Sequence, residues 1–198
     1  LMEGEVLNIR GTSSAIALPG AFDPNSELAN PLEKEVDIWG YVARLGYEQP
    51  SSSVIVETGY ASGDENVIDD KFTGRPIHSD YNVGLLLYDE ILSRVTAANY
   101  TDSVKGLWSK GGVYNSRYIY PHIKVRPSEN IEFRAAFLLA WPDRPDGTNI
   151  LCAEGDEVNG ESLDCASNDA SDSHLGSEWN VGVHHTFHQH VKVCLLYT

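Results

Sequence analysis

Apolar and polar residues alternate with period two in seven segments of the 198-residue chain, and this alternation limits the possible folds more than any other feature. In residues 39–47, apolar side chains occupy every second position, and the positions between them are Gly40, Val42, Arg44 and Gly46. A period of two is that of a β-strand whose two faces have different surroundings. The pattern predicts an all-β chain with seven antiparallel strands: 3–17, 35–48, 53–62, 113–126, 131–141, 177–188 and 190–198.

The two faces of these strands differ in a way that is typical of an outer-membrane β-barrel. Aromatic residues near strand ends bracket the apolar face: Trp39, Tyr47, Tyr60, Trp141, Trp179 and Tyr197. The opposite face mixes charge with glycine, as the wall of a water-filled interior would. We predict that ten residues line that interior: Arg44, Glu48, Glu57, His122, Lys124, Arg126, Glu132, Arg134, Glu178 and Lys192. A soluble β-sandwich with one solvated face would alternate similarly.

Connection lengths favour the barrel. Three connections are tight turns: Gln49–Ser52, Pro127–Asn130 and His188–His190. Three others are long, and we expect them to be outer loops: 18–34, 63–112 and 142–176. Barrels of the outer membrane have short turns on the periplasmic side and longer loops outside the cell.

Residues 81–97 could form either a strand or a helix. A strand here would place the turn at Pro127–Asn130 on the long-loop side. As a helix, the segment has an apolar stripe and a favourable i,i+4 pair of Glu90 with Arg94. The stripe consists of Leu85, Tyr88, Leu92 and Val95. We therefore predict a short amphipathic helix within loop 63–112, which either folds into the interior or caps the rim.

Seven strands are an odd number and fewer than the eight with which bacterial barrels begin. The last strand also reaches Thr198 without a closing partner. We expect residues 1–198 to form one segment of a larger barrel, so that the chain is a fragment. No run of about 18 apolar residues occurs, so no transmembrane helix is predicted.

The chain is acidic, with a net charge of -15. This balance argues against nucleic acid, because little is available to neutralise a phosphate backbone. The acid is concentrated in residues 142–176, which predicts a solvated loop.

Cys152 and Cys165 lie in that loop, where we expect a disulfide and hence an oxidising compartment. Cys194 lies in an apolar strand and is expected to be a small buried or lipid-facing side chain.

Two short stretches, ETGYASGD (57–64) and AWPDRPDG (140–147), resemble the alginate-export family of outer-membrane barrels and related porin-like proteins. The strand–turn–strand of 118–143 is similar to that group as well, so the resemblance covers about half of the chain. It implies a barrel of about 18 strands with a selective pore for an anionic polysaccharide or another small solute. The family's interior is rich in arginine and lysine, whereas carboxylates offset the cations here. The barrel is therefore better supported than alginate as the cargo.

Two kinds of metal site can be considered. His184, His188 and His190 could offer imidazoles to zinc, copper or nickel, although they also suit a polar hairpin end, and we expect no metal there. The acidic clusters in 64–70 and 156–172 could hold calcium as a loop stabiliser, but neither has EF-hand spacing. We predict no cofactor, with calcium in the outer loops as the alternative.

No catalytic arrangement stands out. Ser109, His122 and Asp143 can be chosen as a triad, but nothing in the sequence orders them. We do not expect an enzyme.

The sequence predicts a porin-like channel of the cell outer membrane. Its partners would be membrane lipid, lipopolysaccharide, and a small solute or polysaccharide. One alternative is a barrel that serves as a scaffold or sheath, with a partner protein in the interior or at the rim. Another is a soluble, secreted β-sandwich that binds carbohydrate on an aromatic platform of Trp108, Tyr114, Tyr118 and Tyr120.

Overall fold

The chain is described by a computed structural model. The described residues are 1–13, 34–64, 71–78, 80–81, 83–92, 112–144, 157–158, 161–162, 174–187 and 191–198. Within them the protein is all-β, with one large sheet of mostly antiparallel strands and almost no helix. The predicted fold class is confirmed at this level. No helix in the described part of the chain is long and apolar enough to span a membrane.

Seven long strands form the sheet. They are β1 (Met2–Ser13), β2 (Lys34–Gln49), β3 (Ser52–Ala61), β5 (Ser116–Ser128), β6 (Ile131–Pro142), β9 (Gly176–Phe187) and β10 (Val191–Tyr197). Three short strands complete the described set: β4 (Lys71–Phe72), β7 (Glu157–Val158) and β8 (Glu161–Ser162). The order in the sheet is β1-β2-β3-β5-β6-β9-β10, with every long neighbour antiparallel. Among the described residues, β1 and β10 lie at opposite ends of this order and are not paired with each other.

The predicted strands match the observed ones closely, with one clear correction. The strand predicted over 113–126 begins only at Ser116, because Asn115 has a φ of 44° and interrupts the extended backbone. The turns after β2 and β5 lie where they were predicted. Residues 14–17 of the first predicted strand, the turn at 188–190, and Cys152 and Cys165 lie outside the described residues.

The sequence did not predict β4. Strand β2 has 16 residues, but β3 pairs with it only as far as Gly40↔Ala61. Beyond that point β4 runs parallel to β2, with Glu35↔Lys71 and Val36↔Phe72. This two-residue strand therefore pairs with the first residues of β2, beyond the point where the pairing with β3 ends.

We call the end of the sheet with the short turns after β2 and β5 the turn end, and the opposite end the loop end. One face of the sheet is apolar and exposed, with Trp179 at 64% and Leu195 at 70% exposure. On the long strands of this face, the described charged side chains lie only at the loop end: Arg10, Glu35, Asp37 and Arg117. Arg10 forms an ion pair with Asp37 at 3.0 Å. Between them and the turn end, this face is a band free of charge.

The other face, which we call the polar face, is covered at the loop end by Val113 and by the described residues of 73–92. We call these residues of 73–92 the covering segment. The buried cluster comprises Ala61, Val83, Leu87, Tyr88, Val113, Tyr118, Leu138 and Ala140. The core of the described chain therefore lies between this segment and the sheet. The segment predicted to contain the helix packs against the polar face, and its placement in a barrel interior or at a rim stays a prediction.

The helix in this segment differs from the predicted amphipathic α-helix. Residues Leu87–Leu92 form a π-helix, in which the Ile91 N–H donates to the Leu86 carbonyl five residues back. A wider turn changes which side chains share a face. Of the predicted apolar stripe, Tyr88 is buried and Leu92 packs against the core, whereas Leu85 is exposed; Leu87, which was not in the stripe, is buried. Arg94 and Val95 lie outside the described residues.

Candidate functional site

The strand register places the ten predicted lining residues in one alternating series. Arg44 lies opposite Glu57, Lys124 opposite Arg134, and His122 opposite Ala136. Glu48, Glu132 and Glu178 fall in the same series, and Lys192 occupies the position opposite Thr186. The candidate site is this polar face. It has a covered half at the loop end and an open half at the turn end.

In the covered half, one buried carboxylate organises three neighbouring side chains. Glu57 accepts a hydrogen bond from the Arg44 Nε at 2.6 Å and another from the Tyr118 hydroxyl at 2.7 Å. Arg44 also donates to the Tyr81 hydroxyl at 3.0 Å, so the network joins the sheet to the covering segment. A buried charge is tolerated when it is paired and hydrogen-bonded in this way.

The same half contains a second buried carboxylate, Glu178, which binds main-chain amides. Its two oxygens accept hydrogen bonds from the N–H groups of Leu85, Leu86 and Leu87 at 2.5–3.1 Å. These amides precede or begin the π-helix, where N–H groups have no partner within the helix. Gly84, with φ +75°, brings the backbone so close that a Cβ would lie 2.8 Å from the Glu178 carboxylate. Glu178 therefore holds the covering segment against the sheet.

The open half is a groove of about 350 Å³. Two predicted cations, Lys124 and Arg134, lie at its wall together with His122 and Asn180. Among the described residues, the His122 Nε2 and the Asn180 Oδ1 have no hydrogen-bond partner. The volume is within the range of small-molecule sites.

At the turn end, Glu132 lies between two arginines and forms ion pairs with the Nε atoms of Arg126 and Arg134. Next to it, Cys194 lies opposite His184, with its Sγ 3.4 Å from the His184 Nε2. Cys194 is exposed and belongs to the polar series. The expectation that Cys194 is buried is wrong, and its register position puts it on the polar face of the sheet.

The two stretches that carry the family resemblance meet at the loop end. The Gly63 N–H donates to the Asp143 Oδ2 at 3.0 Å, and Asp64 accepts the Thr73 N–H at 3.2 Å. Asn115 lies between the stretches and exchanges two side-chain hydrogen bonds of 2.8 Å with the main chain of Arg144. These contacts fix the starts of two long loops against each other.

Sequence reasoning placed Tyr88 on the apolar stripe and Tyr118 on an aromatic platform, but it missed Tyr81 and the contacts that Tyr118 makes with Glu57 and Gly59. Tyr118 packs over Gly59 on the neighbouring strand, where a Cβ would overlap its ring. Tyr81 comes from the covering segment, and burial raises the pKa of its hydroxyl. A glycine within a predicted strand was an available signal, since it often marks close approach of another group. Tyr81 had no such signal.

The structure brings together no three described His, Cys, Asp or Glu side chains that could hold a metal ion. His188, His190 and most of the two acidic clusters lie outside the described residues. Of the triad candidates, His122 lies in mid-strand and Asp143 follows β6 at the loop end, while Ser109 lies outside the described part. The two described members are thus at different levels of the sheet.

Comparison with models of protein families, with curated proteins and with solved structures gives no match to this chain.

Proposed function

We propose that this chain forms part of the wall of an outer-membrane β-barrel, and that the barrel is a porin-like channel for small or anionic solutes. The observation that carries the proposal is the difference between the two faces. The exposed apolar face has a charge-free band with aromatic residues toward its ends, and the polar face holds the charged groups. Such a division suits a wall with lipid outside and water inside.

The exposed apolar area supports lipid as the neighbour. Soluble monomers rarely expose a contiguous apolar patch larger than a few hundred Å². Here exposed apolar side chains extend across the sheet, from Val6 on β1 to Leu195 on β10. In a β-sandwich a second sheet would cover such a face. None of the described residues does so, which favours the barrel over a secreted carbohydrate-binding sandwich.

Strand length also supports a membrane span. Strand β6 has 12 residues. At a rise of about 3.4 Å per residue and a tilt of about 40°, it would cover about 30 Å along the membrane normal. This is close to the thickness of a hydrocarbon core of about 30 Å.

The covering segment would affect how solute passes through such a channel. Residues 73–92 lie on the polar face and bury Tyr88 and Leu87 against it, so they would narrow the interior from the loop end. The same observation favours a second candidate function, a barrel that serves as a sheath with an occupied interior. In the channel, solute would pass beside the covering segment or after its displacement.

Two measurements test the proposal. On an SDS gel, a closed barrel that resists detergent would migrate differently before and after boiling. In a planar lipid bilayer, the purified protein should give discrete conductance steps. A single band unaffected by heat, together with solubility without detergent, would overturn the barrel. Conductance that appears only after a bound partner is removed would favour the sheath.

A further inference from the structure

We propose that Lys124 and Arg134 form a binding site for a small monovalent carboxylate in the open half of the polar face. This inference deepens the proposed channel and rests on it, since the solute would reach the site through the interior. The two cations lie directly opposite each other on β5 and β6. Like charges in that position repel each other, and an anion between them would relieve the repulsion.

Both cations retain free hydrogen-bonding capacity. Arg134 donates its Nε to Glu132, and its side chain is 51% exposed. Within the described residues, Lys124 has no carboxylate within 4.0 Å, and no second acceptor binds Arg134. A guanidinium with exposed N–H groups beside an ammonium suits a carboxylate, because the planar donors match its two oxygens.

The residues around the two cations leave room for a ligand. Ser53 and Gly182 flank them in the same row across the sheet, and Ala136 occupies the middle of the next row. The groove of about 350 Å³ above these small side chains is large enough for a short carboxylate. His122 and Asn180 line the same groove, and among the described residues the buried His122 Nε2 and Asn180 Oδ1 have no hydrogen-bond partner.

The charges around Lys124 and Arg134 favour a solute that carries a single negative charge. Glu48 lies in the same row, on the other side of Ser53, and Glu132 lies one step toward the turn end. One carboxylate of the solute is balanced by the two cations. Further negative charges on the same solute would approach Glu48 and be repelled, while Glu132 is already paired with Arg126 and Arg134. The site therefore fits acetate better than a polyvalent anion.

The experiment measures binding of ¹³C-labelled acetate by NMR line broadening, with the purified protein in detergent micelles. Citrate serves as the trivalent comparison. The double variant K124Q/R134Q should weaken acetate binding by about ten-fold or more, as expected for loss of charged hydrogen bonds. The exchanged variant K124R/R134K keeps both charges and should bind acetate, which controls for folding. R75Q removes one exposed cation outside the groove and should bind as the wild type does.

Equal acetate binding by the wild type and K124Q/R134Q would overturn the site, as would tighter binding of citrate than acetate. Bilayer recordings separate this failure from failure of the channel. Conductance without acetate binding would leave the channel standing and remove the site. Acetate binding that depends on the two cations, without conductance, would keep the site and remove the channel.

Discussion

The main-chain N–H of Gly63 donates a hydrogen bond to the Asp143 Oδ2 at 3.0 Å, and 80 residues separate the two in sequence. A Cβ on Gly63 would overlap the side-chain amide of Asn115, which two hydrogen bonds to Arg144 hold in place. The junction of the two loops therefore depends on glycine at this position.

Gly63→Ala should lower the free energy of unfolding by about 1–3 kcal/mol, because the added methyl must displace a tightly held side chain. Urea titration followed by tryptophan fluorescence would measure the change. Gly11→Ala is the matched control, since a Cβ there meets nothing within 4 Å. Equal midpoints for the two variants would contradict the proposed close packing.

Glu178→Gln should loosen the covering segment. The amide has one acceptor oxygen instead of two and loses the charge, so the N–H groups of Leu85, Leu86 and Leu87 would lose hydrogen bonds. A hydrogen bond to a charged group contributes at most about 1.5–3 kcal/mol. Hydrogen exchange at these three amides should speed up by about ten-fold or more. If the segment narrows a channel, the conductance should also rise.

Glu48→Gln provides the control for Glu178→Gln, because Glu48 is exposed on the same face. It should leave exchange at the three amides unchanged. Unchanged exchange in Glu178→Gln would mean that the carboxylate does not hold the segment.

The surroundings of the two faces of β10 can be compared by labelling a single cysteine on one face or on the other. In a background with Cys152 and Cys165 replaced by serine, Cys194 should react with a charged, water-soluble thiosulfonate reagent, because it is exposed on the polar face. With Cys194 also replaced by serine, Val193→Cys should be protected from that reagent in lipid vesicles. It should still react with an apolar maleimide. Equal labelling of both positions by the charged reagent would argue against lipid on the apolar face.

Tyr88 should make stability depend on pH in the alkaline range. Burial raises the pKa of its hydroxyl above the ordinary value of 10.0. Above that pH the unfolded chain loses the proton and the folded chain keeps it, so the free energy of unfolding falls as pH rises, by up to about 1.4 kcal/mol per pH unit. Tyr88→Phe should have a shallower fall in urea midpoints between about pH 9 and pH 11. Parallel curves for the two proteins would contradict this.

The sequence predicted the strands well because alternation is a local property that each segment carries by itself. Glu178 could be assigned to the polar face for the same reason. Its partners could not be predicted, because they are main-chain amides about 90 residues away, and an amide has no signature in the sequence. Leu85 was wrongly placed on one stripe with Tyr88 because it lies in the turn before the π-helix, where no helical period applies.

Strands β3 and β5 are neighbours in the sheet although residues 62–115 lie between them. The entropy of closing a loop grows only with the logarithm of its length. Extending a connection of about ten residues to this length therefore costs about 1.5 kcal/mol. Each of the other long strand pairs is likewise formed by consecutive long strands. The pairing of β3 with β5 therefore does not require a short connection, whereas loss of residues 83–88 would remove Val83, Leu87 and Tyr88 from the buried cluster.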